Sequence, residues 1–369
     1  MRKTLLIRLV SLSFVLLLCL ACGQVEVFKQ AEIVDTIEIP VGEVVTGGDR
    51  ILVLDVNELD DKDYDYVLNV AKKAGAQAVT LAVHWDDIET APGLFNPDPN
   101  WLAVANQYYS ANEMRVALTI AVIDTNNLRV PADLKDKSFD DPQMITRFNA
   151  LLDYASTQLP DLKLTNLAIG NEIDIYLGSD AEQWAAYEVF FRETSQHART
   201  LFSGVPIGTK ITFENIPGKI KPFAQSINQY SDAVFITYYP LESDFSVRTP
   251  QTAQPDFAVL TETFAGQPIY LLEVGYPSGE DNQSSYEMQQ QFIHEMFQVW
   301  DAHADQIQLI SYTWLNDPSE DSVQWLTHYY RMSSKGFISY LATLGLHTNT
   351  GEAKPAFQQW HAEVQARGW

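Results

Sequence analysis

The sequence is poor in cysteine and in positive charge, and each shortage excludes a class of function. Of 369 residues only two are Cys, Cys19 and Cys22, and both lie in the first segment. The rest of the chain has no thiol, which rules out a disulfide framework, a Cys-ligated metal site or a Cys nucleophile there. Lys and Arg number 24 against 48 Asp and Glu, a formal net charge of −24. Nucleic acids and anionic lipid surfaces are recognised by clustered cations, so neither is an expected partner. The 7 His are scattered, with no His-x-x-x-His pair, so neither a metal nor a cofactor is expected. The acidic run 317–321 lacks the spacing of a calcium loop. The first strand-like run leads into Leu54-Asp55-Val56-Asn57 rather than a Gly-rich turn, which argues against dinucleotide binding. No Gly-x-Ser-x-Gly elbow supports serine-esterase chemistry.

The longest apolar stretch is at the N-terminus. Arg2, Lys3 and Arg8 precede residues 9–20, which are interrupted only by Ser11 and Ser13, and Leu20-Ala21-Cys22-Gly23 follows. A basic start, a short apolar stretch and a small residue at the cleavage point describe a secretory signal. The stretch is shorter than the roughly 20 residues needed to span a bilayer. The end resembles a bacterial lipobox, which implies cleavage before Cys22 and lipidation of its thiol. The expected division is a signal at 1–21, a lipid-anchored tether at 22–48 and one domain at 49–369, held at the cell envelope as a monomer.

The whole sequence is 46% apolar, enough for a large core. Eight near-continuous apolar runs, 51–56, 78–83, 116–123, 164–169, 207–213, 233–239, 269–274 and 307–314, alternate with helical patterns. Such runs fit parallel strands buried on both faces. Helix punctuation lies between them. Asp141-Pro142 is a cap followed by Pro, Ser284 or Ser285 can start the run to His303, Gly75 can end a helix, and a last helix follows Lys354-Pro355. The predicted fold class is α/β, a single-domain (β/α)8 TIM barrel.

Barrel chemistry sits at the C-terminal ends of the strands. The fourth run ends in Asn171-Glu172 and the seventh in Leu272-Glu273. A carboxyl at the end of an apolar run is costly to bury, and strands 4 and 7 face each other across a barrel mouth. Two carboxyls over one cleft suit glycosidic bond cleavage, one as proton donor and the other as nucleophile or base. Other strand-end candidates for touching a sugar are His84, Trp85, Asp124, Glu214 and Trp314, with Asn171 beside a 2-hydroxyl. Trp325, Tyr329 and Tyr330, in the insertion after the eighth run, either extend the cleft or pack the insertion down.

The motifs Ile169-Gly170-Asn171-Glu172-Ile173, Thr237-Tyr238-Tyr239-Pro240-Leu241 and Glu273-Val274-Gly275-Tyr276-Pro277 resemble those of glycoside hydrolase clan A. They are most similar to those of the family 53 endo-β-1,4-galactanases. Trp85-Asp86-Asp87-Ile88-Glu89 with Gly93-Leu94-Phe95, and the stretch 351–356, extend the resemblance over roughly residues 50–360. It implies a retaining hydrolase acting on an extracellular oligo- or polysaccharide such as galactan or β-glucan. It also implies Glu172 as acid/base, Glu273 as nucleophile, Tyr238 or Tyr239 orienting Glu273, and Trp314 as sugar platform. Clan members carry an Arg on strand 2, where this chain has Thr80; His84 is the candidate substitute. That departure motivates the alternative of a non-catalytic, glycan-binding lipoprotein on the same scaffold.

Overall fold

The eight apolar runs form the eight positions of one parallel ring. In a computed structural model describing residues 44–369, the strands are β1 (Ile51–Leu54), β2 (Ala78–His84), β3 (Arg115–Asp124) and β4 (Leu164–Asn171). Then come β5, in two pieces (Ile207–Gly208 and Lys210–Thr212), β6 (Val234–Tyr238), β7 (Ile269–Val274) and β8 (Ile307–Tyr312). β8 pairs with β1, as at Leu52 and Ile310. The first piece of β5 pairs with β4 and the second with β6, so the ring closes through the fifth strand. The expected signal at 1–21, Cys22 and the expected tether up to residue 43 lie outside the described residues.

The strands bury both faces, and the faces differ. Side chains alternate along a strand, so every second residue points into the barrel. Val53, Ala78, Ala117, Ala168, Phe235, Tyr270, Leu272 and Leu309 form one apolar cluster inside it. Phe235 stacks on Tyr270 at 5.6 Å. Small residues on β2, β3 and β4 make room for these rings, and a Cβ on Gly208 would come within 2.7 Å of Phe235. Two residues further along the same inward rows the chemistry turns polar: Asp55, Thr80, Lys210 and Thr237. The apolar floor therefore carries a polar mouth.

The other phase packs against the helices α1 (Tyr64–Lys73), α2 (Trp101–Ala111), α3 (Pro142–Gln158), α4 (Ala181–Leu201), α5 (Lys221–Ile227), α6 (Ala253–Thr263), α7 (Tyr286–Ala302) and α8 (Pro355–Ala366). Their ends follow the sequence signals. Asp141 accepts from the amide of Gln143 at 2.7 Å, with Pro142 as the first helical residue. Ser285, not Ser284, caps α7 through Met288 N at 3.2 Å. Gly75 follows α1 at φ +87°, and a Cβ there would lie 2.4 Å from Val364 of α8. No helix among the described residues is long and apolar enough to cross a membrane.

The base of the barrel is tied by buried charge. Asp301 of α7 accepts from Arg50 at 2.9 Å and from Arg367 at 2.7 Å. Arg367 also pairs with Glu363, which accepts from His294 Nδ1 at 2.7 Å. Arg50 lies over Trp300 at 4.7 Å and donates to the carbonyls of Val45 and Thr46. The network joins the entry to β1, α7 and α8. Removing one partner of a buried pair strands the other charge, a loss of about 3–5 kcal/mol. Asp301→Ala should therefore lower the urea midpoint, with a loss of unfolding free energy of about 3–5 kcal/mol, while the mouth, at the far end, stays intact. A midpoint within error of wild type would contradict this role.

Candidate active site

The last turn of β4 aims Glu172 into the mouth by an unusual backbone path. Gly170 has φ +87° and Glu172 φ +45°, one on each side of Asn171. Only glycine fits the first position, where a Cβ would sit 2.4 Å from the Tyr187 hydroxyl and 2.7 Å from Ile173. A left-handed conformation costs a non-glycine residue about 1–2 kcal/mol, and such strain gathers at functional sites. The Glu172 carboxyl accepts from Thr125 Oγ1 and Thr237 Oγ1, each at 2.8 Å. Burial, reinforced by the charge of Glu273, pushes its pKa up to about 8, against the two hydroxyl donors. No cation meets it among the described hydrogen bonds and ion pairs.

Glu273, at the end of β7, has the opposite surroundings. Lys210 Nζ lies 2.9 Å from Oε1 and the Tyr239 hydroxyl donates to Oε2 at 2.9 Å. Lys210 reaches the mouth from the second piece of β5, in the inward row that begins at Gly208. Asp55 completes the floor of the site. It accepts from Thr80 Oγ1, and burial raises its pKa to about 6.

These contacts revise several expectations. His84 does not stand in for the strand 2 Arg. Its ring bonds Asp124 Oδ2 at 3.2 Å and Asp87 Oδ2 at 3.1 Å, and Lys210 supplies the cation beside Glu273. Tyr239 is the inward tyrosine. Tyr238 points to the helix layer and donates to Asp256 of α6 at 2.9 Å, so it does not reach the mouth. Trp85 is fully buried in the same outer layer, edge-on to Phe148 at 5.1 Å and bonded to Glu89. It cannot stack on a sugar there.

The other candidates gather at the mouth. Asp124 is a hub that accepts from His84, from Asn171 Nδ2 at 2.9 Å and from the Tyr329 hydroxyl at 2.6 Å. Burial alone would raise its pKa, but His84, Tyr329 and Asn171 outweigh it and hold it at about 2. Against burial, the bonds of His84 to Asp124 and Asp87 lift its own pKa to about 9. The Asn171 side-chain amide oxygen Oδ1 is buried and has no partner among the described residues. Glu214 sits on the rim, 3.9 Å from Arg248. Trp314 is half-buried after β8 and, like Trp325, Tyr330 and Tyr340, packs against the cluster of Val323, Leu326, Phe337 and Leu341. Asp317, in the acidic run, is paired with Lys354 at 2.8 Å. Among the described residues no group of three or more His, Cys, Asp or Glu side chains is arranged to hold a metal ion.

Sequence reading missed Lys210, Asp55, Thr125 and Thr237. The signal for Lys210 was its place in the alternation: a lysine two residues after an inward glycine in a buried strand needs an acidic partner inside the barrel.

No family model matches the chain, and no curated protein matches it in sequence. Solved structures do resemble it in shape. An exo-β-1,4-mannosidase from Opitutaceae bacterium strain TAV5 superposes with a TM-score of 0.66 at 16% identity, covering 86% of this chain. This chain spans 59% of that mannosidase. A GH5_18 protein from Bifidobacterium longum subsp. longum gives 0.68 at 13% identity, over 87% of this chain and 80% of its own. The GH53 catalytic domain of Ignisphaera aggregans gives 0.63 at 16%, over 89% and 99%. The chain has the barrel fold of these glycosidases.

The backbone at Gly170 gives a test. Gly170→Ala adds a left-handed Cβ and an overlap with Tyr187, together roughly 2–5 kcal/mol. Urea unfolding should show that loss, and an unchanged midpoint would contradict the geometry.

Proposed function

We propose that the protein is a retaining β-glycosidase, with Glu273 as nucleophile and Glu172 as acid/base. The single observation that carries this reading is the unequal environment of two carboxyls in one mouth. Glu273 meets an ammonium and a phenol, which suit an anion. Glu172 is buried with hydroxyl donors beside a second carboxyl, which suits a proton. The resemblance in fold to an exo-β-1,4-mannosidase and a GH53 catalytic domain supports the same class of reaction.

In this reaction a Glu273 oxygen attacks the anomeric carbon while the bond to the leaving oxygen breaks. Glu172 gives its proton to that oxygen. The resulting Glu172 carboxylate then takes a proton from water, the water attacks the anomeric carbon, and Glu273 is released. The Tyr239 hydroxyl holds one Glu273 oxygen, and Lys210 holds the other. The alternative of a non-catalytic glycan binder arose from the missing strand 2 Arg. Lys210 fills that electrostatic role from β5 and removes the motive for it.

Folding keeps a proton on Glu172 between its ordinary pKa and about 8, so this residue subtracts stability as pH rises through that window. Glu172→Gln should thus unfold at a higher temperature than wild type at pH 8, with the gap closing near pH 5. The same variant should lose about 10²–10⁴-fold in kcat/KM on substrates with poor leaving groups. Wild-type activity should fall above about pH 8 as the acid ionises. A 2-fluoro glycoside should add one sugar mass to Glu273. Near-wild-type turnover in Glu172→Gln, or a label on another residue, would overturn the assignment.

We further propose that the protein is exported and lipid-anchored through Cys22, a reading supported by the residue pattern at 2–22. Radiolabelled palmitate should enter the wild-type protein and not Cys22→Ser; equal labelling of both would refute it.

A further inference from the structure

Between β8 and α8 the chain leaves the barrel and makes two helices, Glu320–Tyr330 and Lys335–Ala342. The excursion is clasped where it leaves and returns. Asp317 pairs with Lys354 at 2.8 Å and accepts from the amide of Gly345 at 2.8 Å. A Cβ on Gly345 would lie 2.2 Å from the Asp317 nitrogen, so the two ends close on each other tightly.

Its other contacts lie on distant loops. The end of the first helix is held by the loop after β3: Asn126 Nδ2 donates to Tyr330 O at 2.8 Å, and Arg129 Nη1 donates to the Tyr329 hydroxyl at 3.1 Å. Tyr329 itself donates to Asp124 at the end of β3. The second helix is held by the loops after β6 and β7. Phe337 packs edge-on to Phe245 at 5.1 Å, and Asn282 donates to Gly336 O at 2.8 Å. Tyr340 meets Tyr239 edge-on at 5.4 Å.

In the ring, β3 lies three positions from β8 on one side, and β6 and β7 lie on the other. A segment rooted after β8 and bonded to all of these crosses part of the mouth. It carries two tyrosines towards the carboxyl pair: the hydroxyls of Tyr330 and Tyr340 both feel the charges of Glu172 and Glu273. A polysaccharide lying through its middle needs an open groove on both sides of the carboxyls. Here one side is occupied by a clasped, pinned bar.

We propose that this excursion closes one side of the cleft, so that the site accepts the end of a β-linked oligosaccharide and removes terminal units. This inference rests on the glycosidase reading above and adds to it the mode of action. It departs from the endo-acting galactanases whose motifs the sequence resembles.

The test uses β-1,4-mannopentaose, galactopentaose and cellopentaose carrying a fluorophore at the reducing end, with the parent polymers beside them. The expected result is loss of terminal units, exceeding internal fragments by about tenfold or more in the first products. Polymer viscosity should hold while reducing ends accumulate. Asn126→Ala, outside the carboxyl machinery, removes one pin of the bar and should raise the share of internal fragments. Internal fragments dominating with the wild-type protein would overturn the inference and leave the glycosidase reading standing. Turnover of none of these probes would overturn the glycosidase reading, and the inference with it.

Discussion

Two carboxyl groups share one enclosed mouth, and only one of them has a cation. That inequality is the constraint on which the rest of the site depends. Two like charges close together in a poorly solvated space cannot both be ionised at low cost, and burial with the neighbouring charge pushes Glu172 towards its protonated form. Lys210 and Tyr239 give Glu273 an ammonium and a phenol donor. Thr125 and Thr237 give Glu172 hydrogen bonds without a compensating charge. The polar layer above Phe235 and Tyr270, with Asp55 and Thr80 on one side and Lys210 on the other, is the setting this inequality requires.

Much of the fold was legible because its signals are local and repeated. Eight apolar runs gave eight strand positions, and Asp141, Pro142 and Gly75 marked helix ends where they were expected. Glu172 and Glu273 stood out because a carboxyl ending an apolar run is costly without a purpose. The errors have one cause. Continuous apolar runs locate the strands, but only side-chain alternation along them says which way their last residues point. Carried one step further, it puts Tyr239 in phase with Phe235 and Thr237, and Tyr238 out of phase with them. It puts His84 in phase with Ala78 and Thr80, and turns Trp85 to the helix layer. Lys210 was harder, because its partner Glu273 is 63 residues away and no local pattern joins them.

The two ends of the barrel divide the work. At the base, Asp301 collects Arg50 and Arg367 in a buried network far from the carboxyls. At the mouth, backbone strain at Glu172 and the crossing excursion shape the site. Stability is thus drawn from one face and geometry from the other, the usual allocation in barrels. The excursion contacts were beyond sequence reading. Asp124 and Tyr329 are 205 residues apart, and only the closed ring makes them neighbours.

The central claim is that the Glu273 charge helps keep the proton on Glu172. It is most directly tested by following the protonated carboxyl stretch of Glu172 by infrared difference spectroscopy across pH, in wild type and in Glu273→Gln, with Glu172→Gln as the blank. The account predicts a Glu172 signal that persists at neutral pH, fades near pH 8 in wild type and fades at lower pH once Glu273 is neutral. A Glu172 already ionised at pH 6, or a titration that Glu273→Gln leaves unmoved, would contradict it.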